Sequence, residues 1–149
     1  IVSATGFNLS VLGDIAFSID GRPLDFAAAV GWRGAMFSGV PNMAWVFGYF
    51  RASWTLRADL LSAFVCRLLQ HMDSRGASVV TPTLRAMDDG MALQPWVEPE
   101  NFNPGYIQRG IHLLPKQGSQ SPWLHRQDYA VDKQELPQAD LEDGSLAYR

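Results

Sequence analysis

The stretch 53–75 constrains the fold more than any other part of the 149-residue chain. Leu61, Phe64, Val65, Leu68 and Met72 recur at helical spacing, and Leu56, Leu60 and Phe64 form a second apolar row. Asp59, Arg67, Gln70 and Asp73 fall on the opposite side, which is the pattern of an amphipathic helix with a wide buried face. Ser53 is placed to cap its start and Gly76 to end it. At 1.5 Å per residue such a helix spans roughly 33 Å, the width of a small domain. Whatever else the chain forms must cover that face. Cys66 falls mid-helix at the border of the apolar side and reads as a buried, inert thiol.

Upstream of this helix the signals are those of strands and tight loops. Residues 1–5 suggest a short buried strand ending at Gly6, entered midway, as if sequence preceded Ile1. Residues 15–19 and 22–26 flank Asp20-Gly21, a hairpin turn signal. Residues 32–37 and 43–50 are apolar, aromatic runs separated by the turn formers Gly39-Val40-Pro41-Asn42.

Downstream, residues 78–81 suggest a short strand stopped by Pro82, and residues 85–103 a surface loop. Asn103-Pro104 opens a second helix running over 104–114 to Pro115. Residues 116–122 form a polar turn region, 123–136 a mixed, partly helical stretch, and 146–148 a final strand. The fold class expected is α+β or an incomplete α/β: short strands and a hairpin over 1–50 packed on the 53–75 helix, a second helix, and an irregular C-terminal tail.

Much chemistry is excluded. A net charge of −3 offers no basic field for a phosphate backbone, so nucleic acid is not an expected partner. One cysteine permits no disulfide framework and fits a reducing, cytoplasmic setting. No run of about 18 apolar residues exists to span a membrane. His71, His112 and His125 lack the spacing of a ligand set, so no metal is expected. Asp88 with Asp89, Glu98 with Glu100, and Glu142 with Asp143 read as solvated loop charge. Neither a Gly-x-Gly-x-x-Gly fingerprint nor a phosphate loop is present.

What remains is the block 39–56, where a turn, an extended run and a helix start follow in close succession. Trp45, Phe47, Tyr49, Phe50 and Trp54 crowd a helix N-terminus, an end that favours negative charge. Two readings fit the pattern: aromatic residues as ordinary core, or aromatic walls for a flat, anionic ligand.

The block resembles the C-terminal region of class B flavoprotein monooxygenases, the Baeyer–Villiger and flavin-containing monooxygenase group. Three pieces carry the likeness. Ala4-Thr5-Gly6 is similar to the motif where such chains pass from the NADPH domain back to the FAD domain. Residues 39–56, continuing through Asp59 and Cys66-Arg67-Leu68-Leu69, resemble the last flavin-proximal strand and the following helix. Tyr106-Ile107-Gln108-Arg109 and Pro115-Lys116-Gln117-Gly118 resemble the tail of the subgroup with ethionamide-activating-type enzymes. Relatives carry a small polar pair where this chain has Phe50-Arg51.

The resemblance implies a C-terminal part of an FAD-binding domain over 1–149, with flavin-side strands and helix over 1–76 and an extension over 77–149. It implies FAD contacts at Ser53, Trp54, Thr55 and Leu56, with Asn42 in the turn leading to them, and no catalytic residue within the chain. The complete enzyme would use FAD and NADPH to insert one oxygen from O2 into a ketone, thioether or amine. The dinucleotide fingerprints and the assisting arginine would lie in the missing N-terminal domains. The chain alone is therefore expected to bind no cofactor and to be inactive, with an exposed apolar surface that could drive self-association. The alternative is a non-catalytic binding or structural module derived from that fold.

Overall fold

The computed structural model describes residues 1–100 and 102–149. Among them are three α-helices and eight short strands, an α+β arrangement as expected. The long helix α1 runs Trp54–Arg75, with Ser53 and Gly76 as its caps. The Ser53 hydroxyl accepts from the Thr55 N–H, and Gly76 takes the left-handed conformation (φ 65°) that lets its N–H reach back to the Met72 and Asp73 carbonyls. The fully buried row is Arg57, Leu61, Phe64, Leu68 and Met72. The apolar register therefore extends one step further toward the start than its leucines show, and the extra member is a cation.

Strands β1 (Ser18–Ile19) and β2 (Arg22–Pro23) form the expected hairpin, with Asp20 and Gly21 both at positive φ. Residues 32–37 are not one strand. Arg33 and Gly34 turn left-handed there, so β3 (Gly31–Trp32) pairs back on β4 (Met36–Phe37). Strand β5 (Val80–Pro82) pairs with β8 (Leu146–Tyr148) across the whole second half of the chain. Strands β6 (Leu93–Pro95) and β7 (Lys116–Gly118) pair likewise. Three of the four antiparallel pairs are linked to one another. An isolated bridge joins Val30 to Lys116, and the Gly39 N–H donates to the Pro82 carbonyl. No helix of the described residues is long and apolar enough to cross a membrane.

Several local expectations are corrected. Residues 1–5 form no strand and are exposed, because no neighbouring strand offers them a ladder. Residues 43–50 are extended but join no sheet. The Trp45 N–H donates to the Ala35 carbonyl, Trp45 packs on Phe47, and the Gly48 carbonyl and Phe50 N–H meet the Gln127 amide. The 85–103 stretch is more than a surface loop: it supplies β6 and then buries Trp96 and Val97. In the C-terminal tail the partly helical stretch and the final strand are present as α3 (Tyr129–Glu135) and β8, but 116–122 is not all turn, since β7 opens it. Trp123, Leu136, Leu141 and Leu146 from that tail share one core with Trp32, Leu61, Phe64 and Leu68. The second helix, α2 (Gly105–Gly110), continues as a tighter turn over Ile111–Leu113, but Pro104 rather than Asn103 is its cap.

Cys66 is exposed, because its place on α1 lies just outside the row that the strands cover. Asp88 is buried: Arg85 reaches both its carboxylate oxygens at 2.8 Å and holds its carboxyl far below the usual carboxylate range. Glu142 bridges His71 and Arg75, and Asp143 accepts from Arg85 and Ser145. Two of the three acidic pairs thus tie loops to the framework. The Trp32 indole N–H donates to Ser145 Oγ at 2.7 Å, which fixes β8 against β3.

Candidate functional site

Asn42 begins the path to the start of α1. Held left-handed (φ 52°), it donates its own N–H to the Val80 carbonyl at 2.9 Å. Its amide oxygen accepts the Val80 N–H and its amide nitrogen donates to the Ser78 carbonyl. Asn42 thus mimics a strand residue beside β5, next to the C-terminal end of α1. Residues 43–50 then run back along α1: Met43 and Ala44 lie beside Leu68 and Leu69, and Gly48 lies under Trp54. The extended segment delivers the chain to the helix start, where Ser53, Trp54, Thr55 and Leu56 stand together. Asn42 itself stays at the far end, about 33 Å of helix away.

The close approach at Gly48 explains the glycine. A Cβ there would sit 2.2 Å from the Trp54 indole. Trp54 packs one face on Gly48 and meets the Phe47 ring at 5.7 Å, yet 54% of its surface stays exposed. Ser53 and Thr55 are exposed beside it, their hydroxyls 2.7 Å apart, and Leu56 is half-buried. A flat aromatic face next to helix N–H groups is the arrangement that suits a planar, anionic ring system. Phe50 is committed to the chain's own packing: it stacks on Phe102 at 4.1 Å with the planes 9° apart, and its N–H donates to Gln127. The Phe50 ring thus ties the extended segment to Phe102, and its backbone ties it to Gln127.

Beneath this surface lies a polar junction that sequence reasoning missed. Arg57 is completely buried. Its guanidinium donates to Asp132 Oδ2 at 2.5 Å and to the Arg33 carbonyl at 2.7 Å. The Tyr49 hydroxyl donates to the same carboxylate oxygen at 2.6 Å. Burial pushes the Tyr49 phenol up, and burial also raises Asp132 against the opposing pull of Arg57. Asp132 sits in α3, which Asp128 caps by accepting from the Ala130 and Val131 N–H groups. Three segments distant in sequence thus meet under the first turn of α1. The signal was available: a cation four residues before Leu61 in the buried row demands a buried partner.

His125 packs beside this junction, its ring tilted on Trp96 at 4.5 Å between centroids. Burial, with the Arg57 charge adding to it, lowers its pKa to about 3, so the ring is neutral. Ala4, Thr5 and Gly6 lie apart from all of this, exposed and without regular structure. The chain first gains contacts at Phe7, whose carbonyl accepts from Arg109 and whose ring meets Tyr106 edge-on.

No protein-family model and no solved structure matches the chain. Curated proteins do. FAD-containing monooxygenase EthA of Mycobacterium tuberculosis is 41% identical over 148 residues, covering 99% of this chain and 29% of its own length. Probable FAD-binding monooxygenase AlmA of Acinetobacter baylyi is 39% identical over 148 residues with the same two coverages. Putative FAD-containing monooxygenase MymA of M. tuberculosis is 36% identical over 151 residues, again 99% and 29%. The chain spans under a third of the length of these relatives. Over nearly all of its own residues, it is a homologue of a stretch of the FAD-containing monooxygenases.

Proposed function

We propose that this chain is the flavin-side, C-terminal part of an FAD- and NADPH-dependent monooxygenase acting on a ketone, thioether or amine, and that alone it neither holds FAD tightly nor turns over. The observation that carries the reading is the start of α1: an exposed indole face beside a helix N-terminus, on a chain whose relatives are named for FAD. The residues present fit such a group on that side only. Bound FAD, reduced by NADPH, would supply the activation of O2.

The chain's own residues bind and orient. Ser53 and Thr55 offer hydroxyls, Trp54 a flat wall, and Leu56 an apolar edge, while the N–H groups of the first turn favour a negatively charged ring edge. The Arg57, Asp132 and Tyr49 junction fixes that turn from beneath, so the donors need little reorganisation. Residues 1–76 would supply the flavin-side layer and 77–149 an extension that braces it, in a cytoplasmic enzyme. The phosphate-binding glycines would come from domains upstream of Ile1.

A flavin-fluorescence titration of the 149-residue chain tests the reading beside the same chain extended upstream in its own reading frame. No micromolar binding is expected for the chain alone, and tight binding with a bound-flavin spectrum for the extended protein. Micromolar binding by the chain alone would refute the claim that its site is partial. An extended protein that lacks both glycine fingerprints and ignores FAD would refute the flavin reading itself.

A further inference from the structure

Arg33 lies in the turn between β3 and β4. Both it and Gly34 are left-handed there (φ 49° and 61°), and the Ala35 N–H closes the turn on the Trp32 carbonyl at 2.9 Å. Asn-Gly is the pair such a turn favours, so an arginine in it carries backbone strain. The surroundings hold it in place. The Arg33 N–H donates to the Pro122 carbonyl at 2.6 Å, and the Arg33 carbonyl accepts from Arg57 at 2.7 Å. A strained residue clamped at both backbone groups points to a use for its side chain.

That side chain is a half-buried cation without a counterion. Its Cζ rests 5.3 Å from the centroid of the Trp32 ring, which Ser145 fixes in turn. Nε is fully covered and has no partner. The two terminal nitrogens are not covered, and no hydrogen bond or ion pair among the described residues takes them. Burial lowers the Arg33 pKa, and the acids that oppose this are engaged elsewhere. Asp143 accepts from Arg85 and Ser145, Glu135 from Arg126, and Asp140 from the Glu142 N–H.

Arg33 lines an open cleft of about 290 Å3, with Leu124 and Leu136 as apolar wall. The other charges that line it pair off: Asp132 with the buried Arg57 behind it, and Glu135 with Arg126. One positive charge is left over, that of Arg33. We propose that this cleft is a subsite for the carboxylate of a short aliphatic acid, received by the two terminal nitrogens of Arg33. A carboxylate has two oxygens that match the guanidinium fork, and its single charge balances the one left over. Asp132 and Glu135 stand against a dianion such as phosphate. At about 30 Å3 per water, the cleft has the room of about ten waters, enough for a short alkyl chain against the two leucines. The site uses none of the residues assigned to flavin and is independent of that reading.

Nitrogen-resolved NMR of the full 149-residue chain, without cofactor and at low chloride, tests it. The probes are butanoate, its uncharged amide butanamide, and inorganic phosphate. The Arg33 Nε–H, covered and therefore slow to exchange, is assigned by its loss in Arg33→Asn. It should shift and saturate with butanoate at a dissociation constant on the order of 1 mM, and stay still with butanamide. Arg33→Lys keeps the charge without the fork and should weaken butanoate about five- to tenfold, read at the Gly34 amide. Arg33→Asn supplies the favoured Asn-Gly turn, so it should fold as well as the parent chain and lose the saturable response at Gly34. No saturable shift, an equal response to butanamide, tighter binding of phosphate, or an undiminished response in Arg33→Asn would each overturn the proposal.

Discussion

At its C-terminal end α1 is closed by the chain's own atoms: Gly76 and Ala77 donate back to the last carbonyls, and Glu142 ties Arg75 and His71 to the loop before β8. At its N-terminal end, Ser53 alone caps the helix, and Trp54 stands more than half exposed above a buried junction of Arg57, Asp132 and Tyr49. Two exposed apolar side chains make the contrast concrete. Leu69 and Trp54 are 53% and 54% exposed, one toward each end of the helix. Leu69 borders an apolar hollow with Met36, Met43 and Met72. Trp54 borders helix N–H groups and hydroxyls. One end completes a fold; the other presents a braced surface.

The largest way to break this contrast is at the brace. Arg57→Met should leave Asp132 and Tyr49 buried without their cation and cost about 3–5 kcal/mol of stability in urea unfolding. Arg57→Met combined with Asp132→Leu should recover much of that loss, because no uncompensated charge is left. A loss below about 1 kcal/mol in the single variant would mean that the junction braces nothing.

Acid should loosen the N-terminal end first. The unfolded chain protonates His125 below its ordinary value of 6.5, whereas the folded chain holds out to about 3. The unfolded state therefore binds more protons between those values. Stability is full above about pH 6.5 and falls as the pH drops, with a slope approaching 1.4 kcal/mol per pH unit for one proton. Glu142, lowered by Arg75, keeps its charge through the upper part of that window. Hydrogen exchange at pH 5.5 should thus rise around Arg57 before it rises around Gly76.

The caps give smaller effects. Gly76→Ala forces a side chain into the left-handed region, and Ser53→Ala removes the one side-chain cap; each should cost about 1 kcal/mol. Trp54→Ala and Leu69→Ala should both stay within about 1 kcal/mol in the isolated chain, since each side chain is half in water. Equal stability effects there would make any later difference between them a matter of binding.

What the sequence made legible was local. The span and both caps of α1, the Asp20-Gly21 hairpin, a second helix after Asn103-Pro104 and the β8 strand follow from patterns within a few residues. What it hid was long-range. Residues 1–5 look like a strand until no ladder partner is found, and 93–95 look like loop until 116–118 pairs with them. Arg57 meets its partner, Asp132 in α3, only in the fold, and Asp88 reads as solvated charge although Arg85, three residues before it, folds back to hold it. The helix start was legible as a candidate site from its aromatic residues and its Ser53 cap; the polar brace beneath it was not.

The most direct measurement of the central claim compares the two ends with the ligand present. In the chain extended upstream in its own frame, FAD affinity is measured by flavin fluorescence for Trp54→Ala and Leu69→Ala. The account expects Trp54→Ala to weaken FAD binding tenfold or more, about 1.4 kcal/mol, and Leu69→Ala to leave it unchanged. Equal affinities for the two variants, or a loss confined to Leu69→Ala, would contradict it.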